Sequence, residues 1–313
     1  MSKNIATREA YGKTLAELIV ENENIVVLDA DLSKSTKTAG AKEVCPERHI
    51  NMGIAEGNMM AVAGGLASCG KIPFASTFAM FASGRAFEQI RNTICYPKLN
   101  VKICATHAGI TVGEDGASHQ SVEDVSLMRS IPNMTVISPS DAVEASAAIR
   151  AIVDFNGPVY VRLGRSAVPV INDRDDYSFE IGKAVTLREG KDAVIFATGI
   201  MVDAALEAYN LLAEEGIKVK VVNIHTIKPI DVDAIVNAAR ETGLAITAEE
   251  HSIIGGLGSA VAEVLSENNP TPVVRVGIKD TFGESGKPNE LLKAYGLTAE
   301  DIVSAVKKGM QLK

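Results

Sequence analysis

The sequence predicts an α/β protein of two domains, each a mostly parallel sheet with helices on both faces. Two patterns and one bulk property carry this. Short β-branched apolar runs alternate with amphipathic stretches along nearly the whole chain, as in strand–helix–strand units. The runs are apolar at consecutive positions, which suits strands covered on both faces. With 313 residues, 46% of them apolar and 22% charged, the chain is long enough for about two ordinary domains with sizeable cores.

In chain order, residues 8–21 place Leu15, Leu18 and Ile19 on one helical face. IVVLDAD (25–31) and HINM (49–52) read as strands, and a helix of small residues spans about 56–68. IPFAST (72–77) is a strand and 79–94 a helix. VKICATHA (101–108), MTVISP (134–139) and PVYVRLG (158–164) continue the strands, with a helix over about 141–155. Between Arg165 and Lys183 the periodicity fades and NDRDD (172–176) breaks it, so 171–190 is the expected linker between a 1–170 domain and a 191–313 domain. Alternation then resumes with strands at 193–198, 218–224, 244–250 and 272–277. Helices are expected at 202–215, 231–241, 257–267, 288–294 and 298–309. In open α/β sheets ligands bind at the carboxyl ends of strands, which puts Asp29, Asp31, His107 and the 107–120 segment at a site mouth.

Lys and Arg number 31 against 39 Asp and Glu, a net charge of −8. An acidic chain without a basic stripe argues against nucleic acid and anionic membrane surfaces as partners, but leaves room for a local phosphate pocket. No run of about 18 apolar residues occurs, so no membrane span is expected. The opening MSKNIATREAYGK lacks a secretory apolar stretch, and a cytoplasmic location is the expectation. Cys45, Cys69, Cys95 and Cys104 form no C-x-x-C and read as reduced, mostly buried thiols.

Several catalytic signatures are missing: the phosphate-cradling G-x-x-x-x-G-K-[ST], the G-x-S-x-G elbow and H-E-x-x-H. GGLGSA (255–260) fails G-x-G-x-x-G at Val261 and reads as a tight strand-to-helix turn. Three clusters remain. HAGITVGEDGASHQ (107–120) suits a polar surface loop by composition. Folded back on its glycines, it could instead bring His107 and His119 into one pocket, where imidazoles serve proton transfer and hydroxyl binding. Glu56 lies in HINMGIAEGNMMAVAGGLA (49–67). It suits the first turn of a solvated helix, or an apolar niche where a carboxyl group can stay protonated and donate. Phe78 and Phe81, three apart, suit core packing or a stacking wall for a flat heterocycle. No third ligand stands at convincing spacing for a metal, and none is assigned.

Taken in order, these clusters resemble the transketolase family of thiamine-diphosphate enzymes. GEDGASHQSVEDVSLMRSIPNMTVISPSD (113–141) is similar to its pyrimidine-binding domain, and TFGESGKPNELLKAYGLT (281–298) to the end of its C-terminal domain. The similarity runs from ATREAYGK (6–13) to that tail. It implies that Glu56 contacts the cofactor's aminopyrimidine and promotes its activation, with Phe78 and Phe81 lining that pocket. It implies that His107 and His119 act on the sugar's hydroxyls and carbonyl, and that Asp115 reads a hydroxyl. Arg8, Ser35 and Arg165 would grip the phosphate of a sugar phosphate. The loop departs from the family pattern at Ala117-Ser118, where Pro-Thr is common.

The reaction implied is transfer of a two-carbon ketol unit from a ketose to an aldose, with pentose-phosphate intermediates the default. The family's G-D-G motif for diphosphate and magnesium is missing, since GEDG (113–116) belongs to the sugar-side loop. The resemblance therefore implies a split enzyme: this carboxy-terminal subunit, able to self-associate, joined to an amino-terminal subunit that binds Mg2+, as a heterotetramer. Rivals are the beta subunit of a 2-oxo acid dehydrogenase decarboxylating component and half of a deoxyxylulose-phosphate synthase, whose tail EEHSIIGGLGSAV (249–261) resembles. A non-catalytic scaffold would be expected to lose Glu56 or the histidines, and a nucleotide-binding module lacks its glycine pattern.

Overall fold

The computed structural model describes residues 4–173 and 177–313, so Arg174, Asp175 and Asp176 of the expected linker lie outside the described residues. The strands are β1 (Asn4–Ala6), β2 (Ile25–Asp29), β3 (His49–Asn51), β4 (Ile72–Phe78), β5 (Lys102–Thr106), β6 (Thr135–Ile137), β7 (Val159–Arg162) and β8 (Ala167–Pro169). They continue as β9 (Val185–Arg188), β10 (Ala193–Ala197), β11 (Val219–Asn223), β12 (Thr226–Lys228), β13 (Ala245–Ser252) and β14 (Val273–Ile278). A seven-stranded sheet runs β12-β6-β7-β5-β4-β2-β3 and a five-stranded sheet β14-β13-β10-β11-β9. Pairing is parallel except where β12 and β9 join, both antiparallel. A small antiparallel ribbon pairs β1 with β8.

The apolar runs form the central strands: every residue of β2, β5, β10 and β11 is buried. Helix Thr7–Glu21 packs Tyr11, Leu15 and Ile19 onto one face of the first sheet together with helix Ala142–Asp154. Helix Glu56–Ser68 covers the other face with Met59, Met60 and Ala63. The second sheet is covered by helices Met201–Glu214 and Ala299–Met310 on one side and by Val232–Thr242 and Leu257–Asn268 on the other.

Three features depart from the sequence reading. The single helix expected over 79–94 is instead wide-turned at Phe81–Arg85 and Ile90–Cys95, with a short α-helical turn at Phe87–Gln89 between them. Ser83 is one cause: its hydroxyl bonds back to the Ala79 carbonyl at 2.7 Å, a contact that bends helices. Within the 171–190 span, Val185–Arg188 forms strand β9, at the edge where its alternating burial hides any continuous apolar run. And β12, from the second half of the chain, adds to the edge of the first sheet. Lys228 fixes it there by donating to the carbonyls of Arg129 and Ile131 at 2.8 and 2.6 Å.

The seam between the halves is polar and paired. Glu144, fully buried on the first domain's helix, accepts from the Ser140 amide and hydroxyl, from the Tyr177 hydroxyl and from Asn223 of the second sheet. Removing it orphans several buried donors. We predict that Glu144→Ala lowers unfolding free energy by about 3 kcal/mol in urea titration. A loss below about 1 kcal/mol would show that water replaces the carboxylate without cost.

Candidate active site

Parallel pairing of β2, β3, β4 and β5 brings their carboxyl ends to one edge, where the chemistry-bearing side chains gather. After β3 the chain turns at Gly53, φ +71°, and helix Glu56–Ser68 begins. Glu56 is thus in the first helical turn, where the backbone dipole favours a carboxylate, yet it is only 4% exposed. Its surroundings are less apolar than its sequence neighbours suggest. The Arg85 guanidinium lies 3.6 Å from its Oε1 and also stacks on the Phe81 ring, 4.2 Å from the centroid. Arg85 gave no signal in the sequence, because it stands 29 positions from Glu56 and only the fold brings the two together.

Phe78 ends β4 and Phe81 opens the first wide helical turn. Their rings are nearly parallel, with centroids 5.8 Å apart. His107 follows β5 with φ +56°, a left-handed conformation that costs a β-carbon-bearing residue about 1–3 kcal/mol and that turns the chain sharply out of the sheet. That turn stacks the imidazole on Phe78 at 3.8 Å. His119, from the far end of the loop, meets Phe81 edge-on at 5.4 Å and Phe78 at 6.3 Å. The loop therefore does fold back. It is not a polar surface loop: Ile110–Asp115 is a tight helical turn whose Ile110 and Val112 are fully buried.

His107 is held from both sides. Its Nδ1 lies 2.9 Å from the Thr106 hydroxyl and its Nε2 3.4 Å from Arg8 Nη1. Arginine has only donors, so Nε2 accepts and the ring proton sits on Nδ1. Burial, reinforced by Arg8, Arg165, His119 and Lys37, pushes His107 down to about 3. The ring is therefore neutral at physiological pH.

Arg8, half-buried on helix Thr7–Glu21, donates to the Ser35 carbonyl at 2.8 Å; the Ser35 hydroxyl is not its partner. Its Nε is buried and without a hydrogen-bond partner. Burial lowers its pKa, Glu9 offsets part of that, and the nearby Arg165 charge adds to it. Arg165 donates to the Val112 carbonyl and lies 3.5 Å from the exposed Glu114. Two arginines within electrostatic reach, one with a spare buried donor, make a receptor for an anion.

Not every expected residue joins this group. Asp115 is exposed and, among the described residues, makes no contact with the cluster. Asp29 stands at the carboxyl end of β2, as expected, where its carboxylate braces the adjoining turn. It is fully buried and accepts from the Leu32 amide at 2.5 Å and from the Thr36 and Thr38 hydroxyls at 2.7 and 2.9 Å, building the turn that carries Ser35. Asp31 is exposed and pairs with Asn51 at 3.0 Å. Among the described residues no group of three or more His, Cys, Asp or Glu side chains could hold a metal ion. Two roomy clefts, of about 710 and 810 Å3, lie elsewhere along the β1–β8 ribbon and do not include the histidines or phenylalanines. Within the cluster itself Glu56, Phe78 and His107 are buried. Among the described residues no helix is long and apolar enough to cross a membrane.

The depressed His107 has a sign-definite consequence. Between pH 6.5 and about 3 the unfolded chain binds a proton at this ring that the folded chain refuses, so stability falls as pH falls through that window. His107→Asn is expected to flatten the decline of the urea midpoint from pH 6.5 to 4. Parallel midpoint curves for the two proteins would show that the ring titrates normally.

Two family descriptions match the chain: "Transketolase, pyrimidine binding domain" over residues 3–170 and "Transketolase, C-terminal domain" over 182–302. A "Putative transketolase C-terminal section" of Methanocaldococcus jannaschii is 53% identical over 306 residues, covering 97% of this chain and 96% of that protein. A "6-deoxy-6-sulfo-D-fructose transketolase subunit" of Clostridium sp. is 47% identical over 299 residues, covering 95% and 92%. A solved structure described as "Split gene transketolase, inactive beta4 tetramer" superposes with a TM-score of 0.92 at 60% identity, covering 99% of each chain. Members of this family depend on thiamine diphosphate. With both of its domains matched in order and nearly end to end, the chain belongs to the transketolase family as its C-terminal half.

Proposed function

We propose that this chain is the carboxy-terminal subunit of a two-chain transketolase, moving a two-carbon ketol unit from a ketose phosphate to an aldose phosphate. Residues 1–170 would form the pyrimidine-binding unit and 191–313 the C-terminal unit, joined by 171–190. The observation that carries the reading is the cluster in which Glu56, the Phe78–Phe81 wall, the two histidines and the Arg8–Arg165 pair are linked by contacts at the carboxyl ends of the first sheet's strands.

The donor set fits the aminopyrimidine end of thiamine diphosphate: a buried carboxyl group for a ring nitrogen, beside an aromatic wall. When bound, that cofactor supplies the electron sink for carbon–carbon cleavage. Glu56 holds the proton shared with the pyrimidine ring. His107, with its lone pair at Nε2, accepts from a sugar hydroxyl in place of Arg8. His119 faces the same space from the other end of the loop and serves hydroxyl or carbonyl oxygen. Arg8 and Arg165 bind the phosphate and set the length of sugar accepted. The Clostridium relative's name carries a sulfonated sugar, also an anion, in keeping with a charge-reading end.

The diphosphate and magnesium belong, in this reading, to an amino-terminal subunit. Support comes from the missing G-D-G motif, from the relative named as a C-terminal section, and from the inactive tetramer described for the split-gene structure. Sugar phosphates are the substrates, and self-association and a cytoplasmic setting complete the picture.

Titration of thiamine diphosphate and Mg2+ into the chain, with and without its partner, tests this. Binding and ketol transfer are expected only in the mixture, and Glu56→Ala should lower kcat by about 10²–10⁴-fold. Arg8→Ala should raise KM for phosphorylated acceptors by about 10–100-fold and leave unphosphorylated aldoses little changed. Tight cofactor binding and turnover by the lone chain would refute the split arrangement. A mixture that decarboxylates a 2-oxo acid and ignores sugars would replace this activity with that of a dehydrogenase component.

A further inference from the structure

The loop that carries both histidines is clasped at each end by the second domain. Glu250, at the carboxyl end of β13, is buried, and its Oε1 accepts the Thr111 amide at 2.7 Å, capping the Ile110–Asp115 turn. The same carboxylate lies against Gly109. A β-carbon there would come within 2.1–2.3 Å of Glu250, and Gly109 holds φ +79°. Behind it, Arg162 of β7 binds Asp124 through Nε at 3.0 Å, donates to the Glu250 carbonyl at 2.8 Å and sits 3.9 Å from its carboxylate. At the other end, Gln120 donates to the carbonyls of Ile110, Gly113 and Glu284, tying the loop to the TFGESGK tail (281–287). Two parts of the second domain with no place in the chemistry, the EEH of β13 and that tail, thus converge on this one loop.

We infer that Glu250 is a positioning residue for the reaction: through Thr111 and Gly109 it sets the backbone on which His107 and His119 are held against the Phe78–Phe81 wall. Its carboxylate meets the loop backbone and Arg162. The inference rests on the activity proposed above for its kinetic half only, because the clasp is a property of the folded chain. Loosening it spreads the orientations of both imidazoles, which penalises the transition state more than binding of the cofactor.

The test uses Glu250→Gln and Glu250→Ala. In the full chain, amide exchange of the 109–120 segment should quicken at least about tenfold in Glu250→Ala, with the β10 strand unchanged; the smaller Gln change should leave the Thr111 cap partly intact. With the partner subunit and thiamine diphosphate, kcat should fall about 10–100-fold while cofactor affinity moves less than about twofold. Combined with His107→Ala and His119→Ala together, the Glu250 effect on kcat should largely vanish, because it acts through those two rings. A loop whose exchange is unchanged overturns the clasp. Cofactor affinity falling with kcat, or effects that multiply when Glu250→Ala is combined with loss of both histidines, overturns the positioning role. If the wild-type pair transfers no ketol unit, the proposed activity fails and the exchange result alone still decides the clasp.

Discussion

The structure turns on one buried ionic knot. Arg162 closes β7 in the first sheet, Asp124 opens helix Asp124–Ser130, and Glu250 lies in β13 of the second sheet; all three are at most 8% exposed. Burying such charges costs about as much as pairing them returns, so their value lies less in net stability than in register. Burial alone would lower Arg162, but Asp124 and Glu250 outweigh it and keep the guanidinium charged. Tyr160, on the same strand, adds its hydroxyl to Asp124 at 2.9 Å. A shift of one domain against the other would strand these groups unpaired, and so the two sheets meet in one way.

That fixed junction lies directly beneath the loop that starts at His107. The loop could not be placed by either domain alone: its floor is Leu163 and Ser121 of the first, and its side wall is Glu250 and the 281–287 tail of the second. The result is a neutral imidazole among cations. His107 keeps its lone pair toward Arg8, and the arginine pair is left with more donors than it has partners, an arrangement that is completed when an anion arrives. On the activity proposed here, this imidazole acceptor and these arginine donors are the groups that a phosphorylated, hydroxyl-rich molecule would meet. The Arg85 guanidinium, by contrast, links Glu56 to the Phe81 ring.

Much of this was legible in the sequence because the signals are local. Continuous apolar runs marked the buried strands β2, β5, β10 and β11; Phe78 and Phe81 do pair as rings, but across the end of β4 and the start of the wide helix rather than on one helical face. What was hidden depends on distant closure. Strand β12 is three residues of the second half lying on the first sheet, with no periodicity to show it. Asp29 stands at the strand end where ligands bind, but its bracing of the turn through Leu32, Thr36 and Thr38 could be seen only in the fold. The loop read as polar because glycines and charges dominate its composition, while the apolar members Ile110 and Val112 decide its burial. Arg85 and Glu250 could be found only once the sheets had brought them to Glu56 and Thr111.

The measurement that reaches the centre of this picture is hydrogen exchange of the wild-type 107–120 segment, in the lone chain and again with the partner subunit. A loop built by the two domains of this chain should be strongly protected before any partner is present and should change little when it joins. A loop that exchanges freely in the lone chain, and gains protection only in the complex, would contradict it and make the sugar side of the site a product of assembly.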